Sequence, residues 1–199
     1  MTFEIIQKLP IDGIIDGGAN VGEFASLMRT SLPDADLVCV EPNPFCAQTL
    51  RRAGYKVVEA ALWSEETALE LSQPANDDTS CTVLHVFNKI RPSFKVLAKR
   101  LDQIPIQGSN LFIKLDLQGA EPQALEGMGN MWSRCVLIQM EVSIGINGNY
   151  ELLRELLQKN DFYEYATVNH LITNGIVQES DKIWIKKDFL FKYDQYRES

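Results

Sequence analysis

The sequence predicts an α/β fold: about seven core strands in a mostly parallel sheet, interleaved with helices and closed by a C-terminal antiparallel strand pair. Three observations carry this expectation. Short apolar runs bounded by turn residues recur along the chain, too brief for helices. Segments of helical length with one apolar face lie between them. The first third reads β-α-β-α-β, an order that calls for parallel strands joined by right-handed crossovers. At 199 residues the chain suits one domain spanning 1–199.

Taken in order, Ile14-Ile15 leads into a glycine cluster and reads as a short buried strand at which the fold all but begins. A helix is expected from Val21, because Val21, Phe24, Ala25, Met28 and Leu32 share one helical face until Pro33-Asp34 ends it. Residues 37–40 form a second buried strand. Asn43-Pro44 then reads as an N-cap with proline in the first turn, and Gly54 as the matching stop. Val57-Val58 is a third strand. A short strand at 68–71, a polar loop at 73–80 and a further strand at 94–101 follow. Residues 111–116 are a core strand ending on an acid. Glu121-Pro122 opens a helix with Leu125 and Met128 on one face, 136–142 is a strand carrying Glu141, and 150–157 is a leucine-rich helix ending at Asn160. Residues 162–168 and 183–186 alternate apolar with polar, as half-exposed edge strands do. Asn174-Gly175 marks a turn between them.

Composition narrows the function classes. Hydrophobic residues at 45% and charged residues at 23% describe an ordinary globular chain. The formal net charge of −8 disfavours phosphate backbones and anionic membrane surfaces as partners. No apolar run approaches the ~18 residues of a membrane span. The N-terminus carries an acid, Glu4, where a signal peptide would carry positive charge. The cysteines, Cys39, Cys46, Cys81 and Cys135, form no C-x-x-C pair, and His85 and His170 add little. This predicts no metal centre and reduced thiols, as in the cytoplasm.

In an open α/β sheet, ligands bind beyond the carboxyl ends of the strands, so the loop after the first strand is the place for a site. There the chain reads Asp16-Gly17-Gly18-Ala19-Asn20-Val21-Gly22. Its glycines let the backbone turn tightly and approach a ligand. Taken alone they would equally suit a dinucleotide. Asp16 favours another ligand: a carboxylate at that strand end repels a pyrophosphate but attracts an α-ammonium, directly or through water. S-adenosylmethionine has that ammonium, a sulfonium and no phosphate. Glu41 ends the second strand 19 residues beyond Gly22 and is placed to accept from both ribose hydroxyls of a nucleoside. Ala61-Leu62, past the third strand, offer an apolar wall for adenine.

Five segments together resemble the FkbM family of methyltransferases: Ile15-Asp16-Gly17-Gly18-Ala19-Asn20-Val21-Gly22, Glu41-Pro42-Asn43-Pro44, Ala60-Ala61-Leu62, Ile113-Lys114-Leu115-Asp116-Leu117-Gln118-Gly119-Ala120-Glu121 and Gln139-Met140-Glu141-Val142-Ser143. They occur in the family's order over nearly the whole chain. The resemblance implies a Rossmann-like methyltransferase sheet, S-adenosylmethionine as cofactor, and methyl transfer to an oxygen of a small-molecule or sugar hydroxyl. It also implies cofactor contacts at Asp16, Gly18, Asn20, Gly22, Glu41 and Asn43, with Gly17 and Pro42 in the same two turns. Gly17 departs from the family's usual aliphatic residue, and Trp63 interrupts a stretch that usually reads Ala-Leu-Ser-Asp.

A hydroxyl acceptor needs a base. Asp116 and Glu141 end strands expected to be neighbours, so one of them is the candidate base or orients the acceptor, with Lys114 near enough to pair with either. Two carboxylates are also a partial set for a divalent cation, and Asp116 alternatively caps the turn that follows it. Glu121 reads as a helix N-terminal acid, and His85, in a segment placed to cover the acceptor, reads first as a surface histidine. Two other readings stay open: a nicotinamide-dependent oxidoreductase, which the lack of a Tyr-x-x-x-Lys pair disfavours, and a catalytically silent SAM-binding module.

Overall fold

A computed structural model describes residues 2–72, 93–144, 148–173 and 176–194. The main sheet contains β1 (Gly13–Gly17), β2 (Asp36–Val40), β3 (Lys56–Val58), β7 (Leu111–Leu115), β8 (Cys135–Ser143), β9 (Phe162–Thr173) and β10 (Ile176–Lys186). They lie in the order β3-β2-β1-β7-β8-β10-β9. The first five strands of that order run parallel, and β10 runs antiparallel to both neighbours. These are the seven strands and the antiparallel pair that the apolar runs predict.

Helices cover both faces. On one side, α1 (Thr2–Lys8), α2 (Glu23–Ser31), α3 (Pro44–Arg52) and α7 (Lys187–Asp194) meet the sheet, and Ile5, Ile6 and Met28 pack with Phe112, Leu137 and Ile183. On the other, α4 (Glu121–Glu126), α5 (Met131–Arg134) and α6 (Tyr150–Lys159) bring Leu125, Met131, Leu153 and Leu157 against Ile113, Ile138 and Trp184. Because helices cover both faces, the central strands are built on continuous apolar runs rather than alternation, with polar residues such as Asp16, Lys114 and Glu141 toward their carboxyl ends.

Several expectations need correction. The chain does not start at its first strand: α1 precedes it, with Ile5 and Ile6 buried. The second helix begins at Glu23, not Val21, because Gly22 sits in the left-handed region at φ 96° as its N-cap. Val21 is left outside the helix and 40% exposed. Met128 is buried but lies beyond α4, which ends at Glu126. Residues 183–186 are not an edge strand. They belong to β10, held between β8 and β9, which is why Ile183, Trp184 and Ile185 are all buried. The alternation there was read from too short a stretch to show which strand lay outside.

The strands expected at 68–71 and 94–101 are β5 (Thr67–Ser72) and β6 (Ser93–Lys99), the latter ending before a 3-10 turn at Leu101–Gln103. They join β4 (Ala61–Leu62) in a separate three-stranded sheet, order β4-β6-β5. The loop at 73–80, the segment holding His85 and the Asn174-Gly175 turn lie outside the described residues.

Ile5→Ala removes a fully buried side chain from a wall of the core. A loss of roughly 2–5 kcal/mol is expected in urea denaturation, with an unchanged m-value.

Candidate functional site

Strand order reverses between β1 and β7, so the chain segments leaving these strands diverge and open a cleft at their carboxyl ends. The cleft has a cavity volume of about 180 Å3 and is walled by Gly18, Asn20, Val40, Glu41 and Pro42 on one side, and by Asp116, Leu117, Gln118 and Ala120 on the other. Ala60, Ala61, Leu62 and Leu71 supply an apolar floor.

The glycine loop is forced into shape by its neighbour. Gly18 has φ 69°, and a Cβ there would lie 1.9 Å from the Asp116 carbonyl oxygen. Only glycine lets the two loops approach so closely. The Asp116 amide in turn donates to the Gly17 carbonyl at 3.1 Å. Two non-glycine residues in the left-handed region, Asn20 (φ 49°) and Gln118 (φ 54°), both line the cleft. Strained backbone of this kind concentrates where a ligand must be met.

Glu41 is buried at the end of β2. Its Oε2 accepts from the Asn20 amide and its Oε1 from the Asn43 amide, each at 2.8 Å. Burial pushes its carboxyl up, and these two amides pull against that rise. Asn43 has a second task, since its Oδ1 accepts from the Phe45 amide at 3.0 Å and caps α3 ahead of Pro44. The expected N-cap is therefore present. Asn43 is not on the cleft wall, and neither are Gly17 and Gly22, which shape the turn from behind.

Asp16 is also set back from the wall. Its side chain is fully buried, and no described group stands in ordinary hydrogen-bonding geometry to either carboxylate oxygen. The compensating charge is Lys114, whose Nζ lies 3.4 Å from Asp16 Oδ1 and 3.5 Å from Asp116 Oδ2. Burial raises the Asp16 carboxyl, and the Lys114 ammonium opposes that rise. Lys114 pairs with Asp116 as expected, but its second acid is Asp16 and not Glu141.

Asp116 and Glu141 do end up on adjacent strands, with Leu115 opposite Met140. The Asp116 side chain is 42% exposed at the cleft and accepts from Gln118 Nε2 at 3.1 Å. Glu141 is half-buried, off the cleft wall, opposite Asp181 on β10. Burial pushes its carboxyl up to about 7, and Asp116, Glu179, Glu121 and Asp181 add to the rise. Glu121 is more than a helix-end acid: its Oε1 accepts from the Leu117 amide at 2.8 Å and the Gly119 amide at 3.4 Å, clamping the loop after β7.

Sequence reasoning missed Lys114 as the central cation, and Gln118 and Leu71 as wall residues. The Gln118-Gly119 pair, two residues past the strand-end acid, signals a tight turn. Leu71 had no signal, because the second sheet that places it was not foreseen. Cys39, Cys46 and Cys135 are buried thiols in no disulfide, and burial pushes the Cys39 thiol up to about 12. Among the described residues no group of three or more His, Cys, Asp or Glu is placed to hold a metal ion, and no helix is long and apolar enough to cross a membrane.

The chain is similar to methyltransferase sdnD of Sordaria araneosa, 28% identical over 193 residues that cover 75% of this chain and 74% of that one. Among solved structures it is similar to the magnesium protoporphyrin IX methyltransferase ChlM of Synechocystis PCC 6803 with bound SAM, at TM-score 0.52 and 10% identity over 93% of this chain and 78% of that one. It is likewise similar to precorrin-6y C5,15-methyltransferase of Geobacter metallireducens GS-15, at TM-score 0.52 and 15% identity over 94% and 85%. The fold is thus the Rossmann-like methyltransferase fold. No family model matches the chain.

Glu121→Ala leaves the Leu117 and Gly119 amides without their acceptor. We expect a loss of about 1–3 kcal/mol in chemical denaturation, with faster amide exchange confined to the loop after β7.

Proposed function

We propose that the chain is an S-adenosylmethionine-dependent methyltransferase of the FkbM kind, one domain that methylates a hydroxyl of a small-molecule or sugar acceptor. The observation that carries the reading is Glu41: a buried carboxylate on the cleft wall with both oxygens oriented by backbone amides. Each oxygen keeps a lone pair for a further donor, as the two hydroxyls of a ribose require. The apolar floor of Ala60, Ala61, Leu62 and Leu71 suits a flat base. The unmet oxygens of Asp16, behind Gly17 and Gly18, suit a cationic amino group reached directly or through water. A pyrophosphate would meet two acids on the cleft wall, Glu41 and Asp116, with a third, Asp16, buried behind the glycine loop.

S-adenosylmethionine supplies a methyl carbon already activated by its sulfonium, which leaves orientation and deprotonation of the acceptor to the protein. Asp116 is held at the cleft by Lys114 and Gln118, and its role is to orient the acceptor hydroxyl. Glu141 takes the hydroxyl proton. It has no cationic partner among the described residues, and a carboxyl near 7 is matched to base catalysis at neutral pH. The methyltransferase similarity of the sdnD relative supports the reaction class.

Calorimetric titration with S-adenosylmethionine, S-adenosylhomocysteine and NAD tests the cofactor. The first two should bind and NAD should not, and Glu41→Ala should weaken both by at least about tenfold, the worth of one lost charged hydrogen bond. Tight NAD binding would favour the oxidoreductase reading instead.

The base assignment predicts a pH profile. Glu141 must be ionised to act, so kcat/KM should rise with pH through about 7 and level off above it. Glu141→Gln should abolish that limb. Because the folded carboxyl is raised, the wild type loses stability as pH climbs from the ordinary glutamate value to about 7. Glu141→Gln should therefore gain in Tm relative to wild type at pH 8 and not at pH 4. A limb that survives in the variant rules out Glu141 as the base.

A further inference from the structure

Lys114 sits on β7 directly opposite Asp16 of β1 in the strand register. Its side chain is only 12% exposed. Besides the two acids, its Nζ donates to the Gly18 carbonyl at 3.1 Å and reaches the Gly17 carbonyl at 3.5 Å, with the Phe24 ring of α2 5.8 Å away. One ammonium thus touches the acid behind the glycine loop, two carbonyls of that loop and the acid at the mouth of the cleft. A cation here is unexpected on simple electrostatics, because the cofactor proposed for this cleft is itself positively charged.

We propose that Lys114 is a positioning residue for the cofactor, holding the buried Asp16 carboxylate in its charged form and fixing the Gly17–Gly18 loop by its carbonyls. The inference rests on the cofactor reading of the cleft. Its physical basis is that a carboxylate taken fully out of water, with no donor in strict hydrogen-bond geometry and only the Lys114 ammonium and the Ala25 amide near it, needs a counter-charge to stay charged. The groups facing Asp16 are Lys114 of β7 and Asp116 just after it, Cys39 of β2 and Glu41 just after it, and uncharged Phe24 and Ala25 from α2. All but Lys114 are neutral or acidic. Without Lys114, the upward push of burial on the Asp16 carboxyl loses its main opposing charge, and a protonated Asp16 no longer attracts an ammonium group.

The test is calorimetric titration of the full chain with S-adenosylhomocysteine at about pH 5.5 and pH 7, below the titration of an ordinary α-amino group. Glu41 and Glu141 are present in every protein compared, so the readout is the ratio of variant to wild-type Kd. For Lys114→Met the ratio should be at least about tenfold at pH 7 and grow about fivefold or more on going to pH 5.5. Lys114→Arg, which keeps the charge, should hold the ratio independent of pH. With Asp16→Asn as background, Lys114→Met should add no pH dependence. The 13C signal of the Asp16 carboxyl in the wild type provides a check that does not need a folded variant: it should report the ionised form at pH 7. A neutral Asp16 in the wild type, or a Lys114→Met ratio that does not change with pH, overturns the role of Lys114 alone. A wild type that binds neither S-adenosylmethionine nor S-adenosylhomocysteine overturns the cofactor reading and this role with it.

Discussion

The close approach of β1 and β7 is the constraint on which the site depends. Where Gly18 passes the Asp116 carbonyl there is no room for a side chain, and the Asp116 amide closes the gap on Gly17. Backbone contact of this kind fixes two loops at once. It sets the glycine turn against β7, and it delivers Asp116 to the mouth of the same cleft. Strand order makes the contact possible, because β1 and β7 are the pair at which the sheet reverses direction of travel. Loops leaving any other pair would run to the same side and close the space between them. Glu121 secures the far side by taking the amides of the loop that follows Asp116.

Glu41 shows how the fold keeps an acid both buried and useful. Burying a carboxylate without partners is costly. Here two amides offset that cost, and they come from different turns, Asn20 in the glycine loop and Asn43 ahead of α3. The carboxylate therefore ties the first two crossovers together while presenting its edge to the cleft. Asn43 adds a helix cap to the same turn. A short polar sequence thus serves local capping, loop registration and the cleft wall together.

Much of this was legible in the sequence because it is locally encoded. The seven core strands follow from apolar runs, the α3 cap from Asn43-Pro44, and the cleft from Gly18 and the acids at strand ends. What stayed hidden depends on contacts distant in sequence. The three-stranded sheet pairs β4 with β6 across more than thirty residues, and Leu71 reaches the cleft floor only through it. The burial of α1 depends on Phe112, Leu137 and Ile183, none of them near it in sequence. The interior position of β10 is set by its pairing with β8, which no alternation within 183–186 encodes. Asp16 stands out in the sequence as a strand-end acid, yet its pairing behind the wall depends on Lys114, which stands opposite it only once β7 lies beside β1.

The two ends of the cleft handle negative charge by different means, and the difference has a chemical meaning. On the β1–β2 side every acid has compensation: Glu41 from backbone amides, Asp16 and Asp116 from Lys114. On the β8 side, Glu141 has Asp116, Glu179, Glu121 and Asp181 around it, all of them acidic. Selection for stability alone would replace such a residue, since like charges raise each other's cost of ionisation. A carboxyl held near 7 is a penalty in the folded state and an advantage only for proton transfer. Local rules of stability are broken most often where a function needs the breach. On that ground the uncompensated acid, and not the well-paired ones, is the one we propose as the base.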